Sequence, residues 1–211
     1  MPETGRKGRH RILSDEVILQ AAFESFASNG YETMSVRRLN IDLGLSHETV
    51  RQRFGSKNEL FYATVDFAIA KFYTLLFEER IHLGDADSDL QELRFTMRAF
   101  MTASIKLPQL ANLVNHEAAQ SSERMDYIFT SGFLPGMKAY SEILERLISD
   151  QVIHPITARE AFFLVDAGLS QFAQVGLSRA FDVVSGPLNE EAQVDRFLDF
   201  LFRGLVKNPR D

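Results

Sequence analysis

Residues 35–54 read SVRRLNIDLGLSHETVRQRF. Ser35 is a strong helix-starting residue, and Val36, Leu39 and Leu43 follow it at helical spacing. Gly44 breaks that pattern. Ser46 then offers a second cap, Val50 and Phe54 continue an apolar face, and Gly55 closes it. The spacing predicts two short helices joined by a tight glycine turn, the second starting at Ser46. Val36, Leu39, Leu43, Leu45, Val50 and Phe54 are its expected inward face.

The same reasoning extends outward from this pair. Upstream, Ser14 with Asp15 and Glu16 starts a helix carrying Ile18, Ala22 and Phe26, which Gly30 stops. Downstream, Ser56 opens a longer helix through Leu60, Phe61, Val65 and Ile69. Further helices are expected from Asp89 to about Leu107 and from Pro108 to Ala119. Another should run from Ser122 to Ile148, bent near Gly132, Pro135 and Gly136. One is expected from Thr157 to about Phe181, and a last one from Asn189, ending before Pro209. The chain reads as all-α, with about nine helices. Its expected divisions are a basic arm over 1–13, a three-helix unit over 14–60 and a second helical domain over 61–211.

Composition narrows the function classes. The 45% hydrophobic content suffices for a normal core. The absence of cysteine excludes disulfides and thiolate metal sites. The net charge of −6 is unevenly spread. Residues 1–60 hold nine Lys/Arg against eight Asp/Glu, and the remainder holds fourteen against twenty-one. Arg6, Lys7, Arg9, His10 and Arg11 make the arm basic, suited either to groove and phosphate contact or to solubility. No 18-residue apolar run and no signal-peptide core are evident, so a cytoplasmic protein without a membrane partner is expected. G-x-S-x-G, H-E-x-x-H and phosphate-loop patterns are missing, so no catalytic residue, metal or cofactor is assigned and an enzyme is not expected. The adjacent pair His116-Glu117 diverges by about 100° on a helix and cannot chelate as an i, i+4 pair would.

A helix-turn-helix places its second helix in the DNA major groove. Ser46, His47, Glu48, Thr49, Arg51, Gln52 and Arg53 would then face the duplex. Arg37 is a further candidate on the first helix of the pair. His47, Thr49 and Gln52 can reach base edges, and Glu48 can accept from a cytosine amino group or support the helix start. Arg51 and Arg53 can hold phosphates or a guanine, and Lys57 sits at a helix N-terminus suited to phosphate.

Residues 18–60, ILQAAFESFASNGYETMSVRRLNIDLGLSHETVRQRFGSKNEL, resemble the DNA-binding domain of the TetR (tetracycline-repressor-like) family. The marks are Ala21-Ala22, Phe26, Gly30-Tyr31, Ser35-Val36, Leu39, Gly44, Ser46, Thr49, Phe54, Ser56-Lys57 and Leu60. Three positions depart from the family pattern. Asn40 stands where a small alanine is usual, Arg51 where a phosphate-contacting tyrosine is usual, and Arg53 where histidine or tyrosine is usual. Arg51 and Arg53 are therefore expected to set this chain's own DNA preference. The resemblance implies a fourth helix linking the DNA-binding unit to a ligand-binding and dimerisation domain, with repression as the usual mode.

In that second domain, the helix from Thr157 and the last helix are apolar on more than one side. Ala161, Val165, Gly168, Phe172, Gly176, Phe197 and Leu201 are the expected homodimer contacts, the alternative being a buried central helix of a monomer. Asn112, His116, Tyr127 and Tyr140, walled by Phe72, Met97, Met101, Phe129 and Phe133, are the expected pocket for a small apolar effector. The function expected is that of a homodimeric regulator, a repressor of a palindromic promoter operator, released by that effector. A partner-binding or DNA-organising module without a small ligand is the rival.

Overall fold

Short polar side chains start most of the helices. In the computed structural model, which describes residues 13–119 and 122–208, the Ser14 hydroxyl accepts the N–H of Val17, Ser35 that of Arg38 and Ser122 that of Met125. The Asn189 side chain accepts the N–H of Ala192. Ser56–Glu59 and Thr157–Glu160 form reciprocal capping boxes. Their backbone N–H donors hold both glutamates below the ordinary carboxylate range. Ser88 accepts from Gln91, but Gln91 Oε1 takes the Asp87 N–H, so that box closes one residue early. A cap of this kind contributes about 1 kcal/mol.

The helices are α1 (Asp15–Thr33), α2 (Val36–Asp42), α3 (Thr49–Phe54), α4 (Lys57–His82), α5 (Asp89–Lys106) and α6 (Pro108–Ala118). Next, α7 (Glu123–Ile128) runs through a π turn (Phe129–Phe133) into α8 (Leu134–Ser149). Then come α9 (Ala158–Ala173), α10 (Val175–Ala180), α11 (Asp182–Ser185) and α12 (Glu190–Leu205). The fold is all-α, and no strand occurs among the described residues beyond one isolated bridge between Ile153 and Val206. Besides the short α11, two features raise the number of segments above nine among the described residues. The π turn splits the bent 122–149 run, and Gln174 (φ −89°, ψ 59°) interrupts the helix expected to continue to Phe181. Gly30 adopts φ +71° and ends regular helix in α1, with one further turn reaching Thr33.

Two cores form. The first joins Ile18, Phe23 and Phe26 of α1, Leu39 of α2 and Val50 of α3 to Leu60, Phe61 and Val65 of α4. It also takes in Leu113 of α6 and Ile128 of α7, so the apolar packing of the three-helix unit continues past residue 60. The second joins Leu93, Met97 and Met101 of α5, Leu144 of α8, Ala161 and Val165 of α9, and Leu198 of α12. Ion pairs lace its surface: Arg98 reaches Asp195 at 2.8 Å, Arg94 reaches Asp199 at 2.6 Å, and Arg146 reaches Asp89 at 2.6 Å.

α4 runs between the two cores. By length and composition it is long and apolar enough to cross a membrane, although charged residues interrupt its apolar run. In this fold its apolar faces meet α1, α5, α6 and α7. Its charges have neighbours to bond: Lys71 Nζ donates to Gln20 Oε1 at 2.7 Å, and Asp66 accepts the Tyr127 hydroxyl at 2.8 Å. A helix apolar on several sides is what a position between packing partners requires.

Candidate nucleic-acid interface

The α2–α3 unit forms because its apolar residues meet across the turn. Leu39 and Val50 are buried, with Val36, Leu43, Leu45 and Phe54 packed around them. Gly44 takes φ +66°, a conformation that costs a residue with a Cβ roughly 1 kcal/mol or more. α3 begins at Thr49, later than the expected start at Ser46. The Ser46 hydroxyl bonds the Thr49 hydroxyl at 2.7 Å and caps no backbone N–H; residues 46–48 form a turn instead. The N-cap of α3 is Glu48, whose side chain makes no capping bond. A buried side chain from α2, Asn40, reaches across: its Oδ1 accepts the Val50 N–H at 3.2 Å.

The expected DNA-facing residues divide by what they already bond. Arg37, Ser46, His47, Glu48, Arg51 and Gln52 are exposed, and Thr49 is half-buried. Arg37 and Arg51 project without an ion pair among the described residues, whereas the neighbouring Arg38 is paired with Asp42 at 2.9 Å. Arg53 is also engaged, with Nη1 donating to the Leu13 carbonyl at 2.6 Å and Nη2 paired with Asp15. It ties the end of α3 to the start of α1. Lys57 Nζ donates to the Glu32 carbonyl at 3.2 Å and sits 4.6 Å from the Tyr31 ring centroid. Between α2, α3 and α4 lies a hollow of about 570 Å³ lined by Val36, Arg51, Gly55, Ser56, Lys57 and Glu59. Arg51 and Lys57 make one side of it cationic, and the N-terminus of α4 opens beside it. The basic arm of residues 1–13 lies outside the described residues except at Leu13.

Sequence comparison decides what this unit is. Residues 18–64 match the family model described as bacterial regulatory proteins, tetR family. Residues 18–64 are thus similar to the DNA-binding unit of that family. A candidate mycofactocin biosynthesis transcriptional regulator, MftR, of Mycobacterium tuberculosis is 31% identical over 104 residues, which is 48% of this chain and 50% of that protein. The chain thus spans about half the length of the curated relative it matches. Over most of the chain the fold is similar to a candidate fatty acid metabolism regulator from Clostridium perfringens (TM-score 0.70, 17% identity, 90% of this chain and 99% of that one). It is also similar to the TetR-family regulator PfmR from Thermus thermophilus (TM-score 0.61, 22% identity, 90% and 99%).

A polar cluster that sequence reading missed ties α1 to α6 and α7 beside the α2–α3 unit. Arg124 of α7 lies 3.9 Å from the Tyr31 ring centroid, 2.8 Å from Glu117 Oε2 and 3.5 Å from Glu32 Oε1. Glu117 is buried, and Ser122 also donates to it at 3.4 Å. The Tyr62 and Tyr127 rings lie 4.4 Å apart, tilted by 37°. Burial and the Asp66 carboxylate push the Tyr127 phenol above its ordinary value. Burial likewise raises Tyr31, against the opposing charge of Arg124. Tyr31 was visible only as a family mark, and no local pattern announces that residue 124 meets it.

The expected pocket residues do not converge on one cavity. Met97, Met101 and Tyr140 are buried in the second core, while Phe72, Tyr127 and Phe133 pack on the first. Asn112 is exposed, and so is His116, which lies against Gly30: a Cβ built there would come within 3.2 Å of His116 Nδ1. Phe129 is exposed on the π turn. Phe72, Phe100, Phe162 and Phe133 form a chain of edge-to-face contacts, with centroids 5.6, 6.1 and 5.6 Å apart. A second hollow, about 490 Å³, lies elsewhere, at Pro155, Ile156, Glu160, Phe163 and Leu164.

The expected dimer contacts mostly face inward. Ala161 and Val165 are buried, Phe172, Phe197 and Leu201 pack on the same core, and the Phe197 ring lies 2.5 Å from where a Cβ on Gly168 would stand. Only Gly176 of that set is exposed. On α9, α10 and α12 the large apolar side chains that face outward are Phe163, Leu164, Val175, Leu177 and Phe200. Helical periodicity marks two apolar sides but does not say which of them the chain itself covers.

Proposed function

We propose that this chain is a homodimeric transcriptional repressor that binds a palindromic promoter operator and is released by a small apolar effector in its second domain. The observation that carries the DNA reading is the exposed α3 start. Beside it Arg37 and Arg51 have no ion pair among the described residues, while Arg38 and Arg53 are neutralised by their own chain. Such cations beside a protruding helix suit phosphates flanking a major groove. The outward apolar residues of α9, α10 and α12 support a second copy as partner, because α9 packs beside both other helices and large exposed apolar side chains favour burial. Two copies would present their α3 helices to successive major grooves about 34–36 Å apart.

The junction of Arg124, Tyr31, Glu32 and Lys57 is the route by which a shift of α7 and the π turn would reach the DNA face. An effector acts only through unequal affinity for the two arrangements. The edge-to-face phenylalanine chain supports an apolar effector, which would have to part those rings. The same filled interior favours a second reading, a DNA-binding module that needs no small ligand.

The test is selection from a randomised duplex library, followed by gel shift on the selected duplex. The wild-type chain should bind it at least tenfold more tightly than random duplex. Arg51→Ala with Lys57→Ala should weaken binding about 10–100-fold and reduce the slope of log K against log[salt] by about 1 for each phosphate no longer neutralised. A double variant that binds unchanged would show that another face meets DNA.

A further inference from the structure

Asn40 is fully buried at the crossing of α2 and α3, and its side-chain amide bonds three backbone groups. Nδ2 donates to the Val36 carbonyl in the first turn of α2 and to the His47 carbonyl in the turn, each at 3.1 Å. Oδ1 accepts the N–H of Val50, the second residue of α3, at 3.2 Å. Two carbonyls need a donor and one N–H needs an acceptor, so a single orientation of the amide satisfies all three. Its own backbone carbonyl accepts Leu45 N–H at 2.8 Å, closing the turn from the other side.

α3 needs this help. It has six residues, too few to be stable alone, and its N-cap offers no side-chain bond. The Val50 N–H is one of the first-turn donors that a helix cannot satisfy internally. Asn40 therefore supplies from α2 the cap that α3 lacks, and through the His47 carbonyl it also holds the turn from which α3 springs. The three bonds run in different directions, so they restrict rotation of α3 about its own axis as well as its distance from α2. Nonpolar contact of Leu39 with Val50 alone would leave that rotation softer, since dispersion is non-directional.

We infer that Asn40 is a positioning residue for base recognition: it fixes the rotation of α3 so that Gln52, Thr49 and His47 meet base edges in one register. This rests on α3 being the reading helix. Losing the amide then degrades discrimination between sequences more than affinity for duplex in general, because phosphate attraction tolerates small rotations and paired base contacts do not.

The test uses the full chain, a duplex selected by the wild type from a random library, and a random-sequence duplex of equal length at one salt concentration. Asn40→Ala is expected to keep its helical circular dichroism, since alanine is the usual residue there in the family pattern. It should lose about tenfold or more on the selected duplex and less than about threefold on the random one. Asn40→Asp keeps the shape and the Val50 acceptor but sets a carboxylate against the Val36 and His47 carbonyls, so its ratio should fall further than that of alanine. An unchanged ratio in Asn40→Ala overturns the inference. So does an equal loss on both duplexes, or loss of helical signal, since either would make Asn40 a residue of folding and not of reading. A wild-type chain that fails to prefer the selected duplex contradicts the DNA-reading proposal itself, which is a separate result.

Discussion

The α2–α3 unit and the outward face of α9, α10 and α12 both look unfinished, but in different ways. In the first, polar groups are matched one by one: Asn40 to Val50, Val36 and His47, and Glu59 to Ser56. Against that background Arg37 and Arg51, without an ion pair among the described residues, stand out, and hydrogen-bonding direction says what they suit. The second face leaves Phe163, Leu177 and Phe200 more than half exposed, yet offers no directional group to describe a partner. A polar site states its ligand's chemistry, whereas an apolar face states only that it is better covered.

The largest expected effect tests how far the first unit depends on the second domain. Phe61 sits fully buried among Phe26, Tyr31 and Tyr62 and shares a core with Leu113 and Ile128. Phe61→Ala should cost about 3–5 kcal/mol and lower the melting temperature of the whole chain in one transition. Two separated transitions would mean that the cores fold independently.

Next in size, Phe163→Glu and Phe200→Glu, made singly, should change the stability of an isolated chain by less than about 0.5 kcal/mol, as exposed substitutions do. They should nevertheless shift sedimentation from dimer to monomer and weaken operator binding. Ala161→Glu should instead unfold the second core, because its side chain points inward. Monomeric sedimentation of the wild type would remove the homodimer.

The smallest effect separates two arginines that look alike in sequence. Arg51→Ala should weaken DNA binding in a salt-dependent way, whereas Arg53→Ala should act mainly by loosening the start of α1 from α3. That loss should be about 1 kcal/mol or less in thermal unfolding, given the partly exposed pair with Asp15. Equal effects of the two on DNA affinity would show that Arg53 leaves Asp15 on binding.

This contrast also explains what was legible in advance. Local signals were readable: the Ser14, Ser35 and Ser56 caps, the Gly44 turn and the apolar faces all act within a few residues. Ser46 misled because its hydroxyl found Thr49 and not a backbone N–H. The break at Gln174 carries no glycine or proline of its own. The Arg53–Asp15 pair and the Arg124–Tyr31 contact join residues far apart in sequence, which no spacing rule reaches. Periodicity showed that α9 is apolar on two sides but could not say which side α5 and α12 would cover. The pocket residues failed to converge for a related reason: bulk with a polar tip describes Tyr140 in one core and Tyr127 on the other equally well.

Whether the start of α3 reads bases can be decided by repeating the duplex selection with Gln52→Ala and comparing the selected sequences position by position with those of the wild type. Relaxed preference is expected at one base pair in each half-site, related by the two-fold axis, with the remaining positions unchanged. An unaltered selected sequence would mean that α3 does not read bases through Gln52.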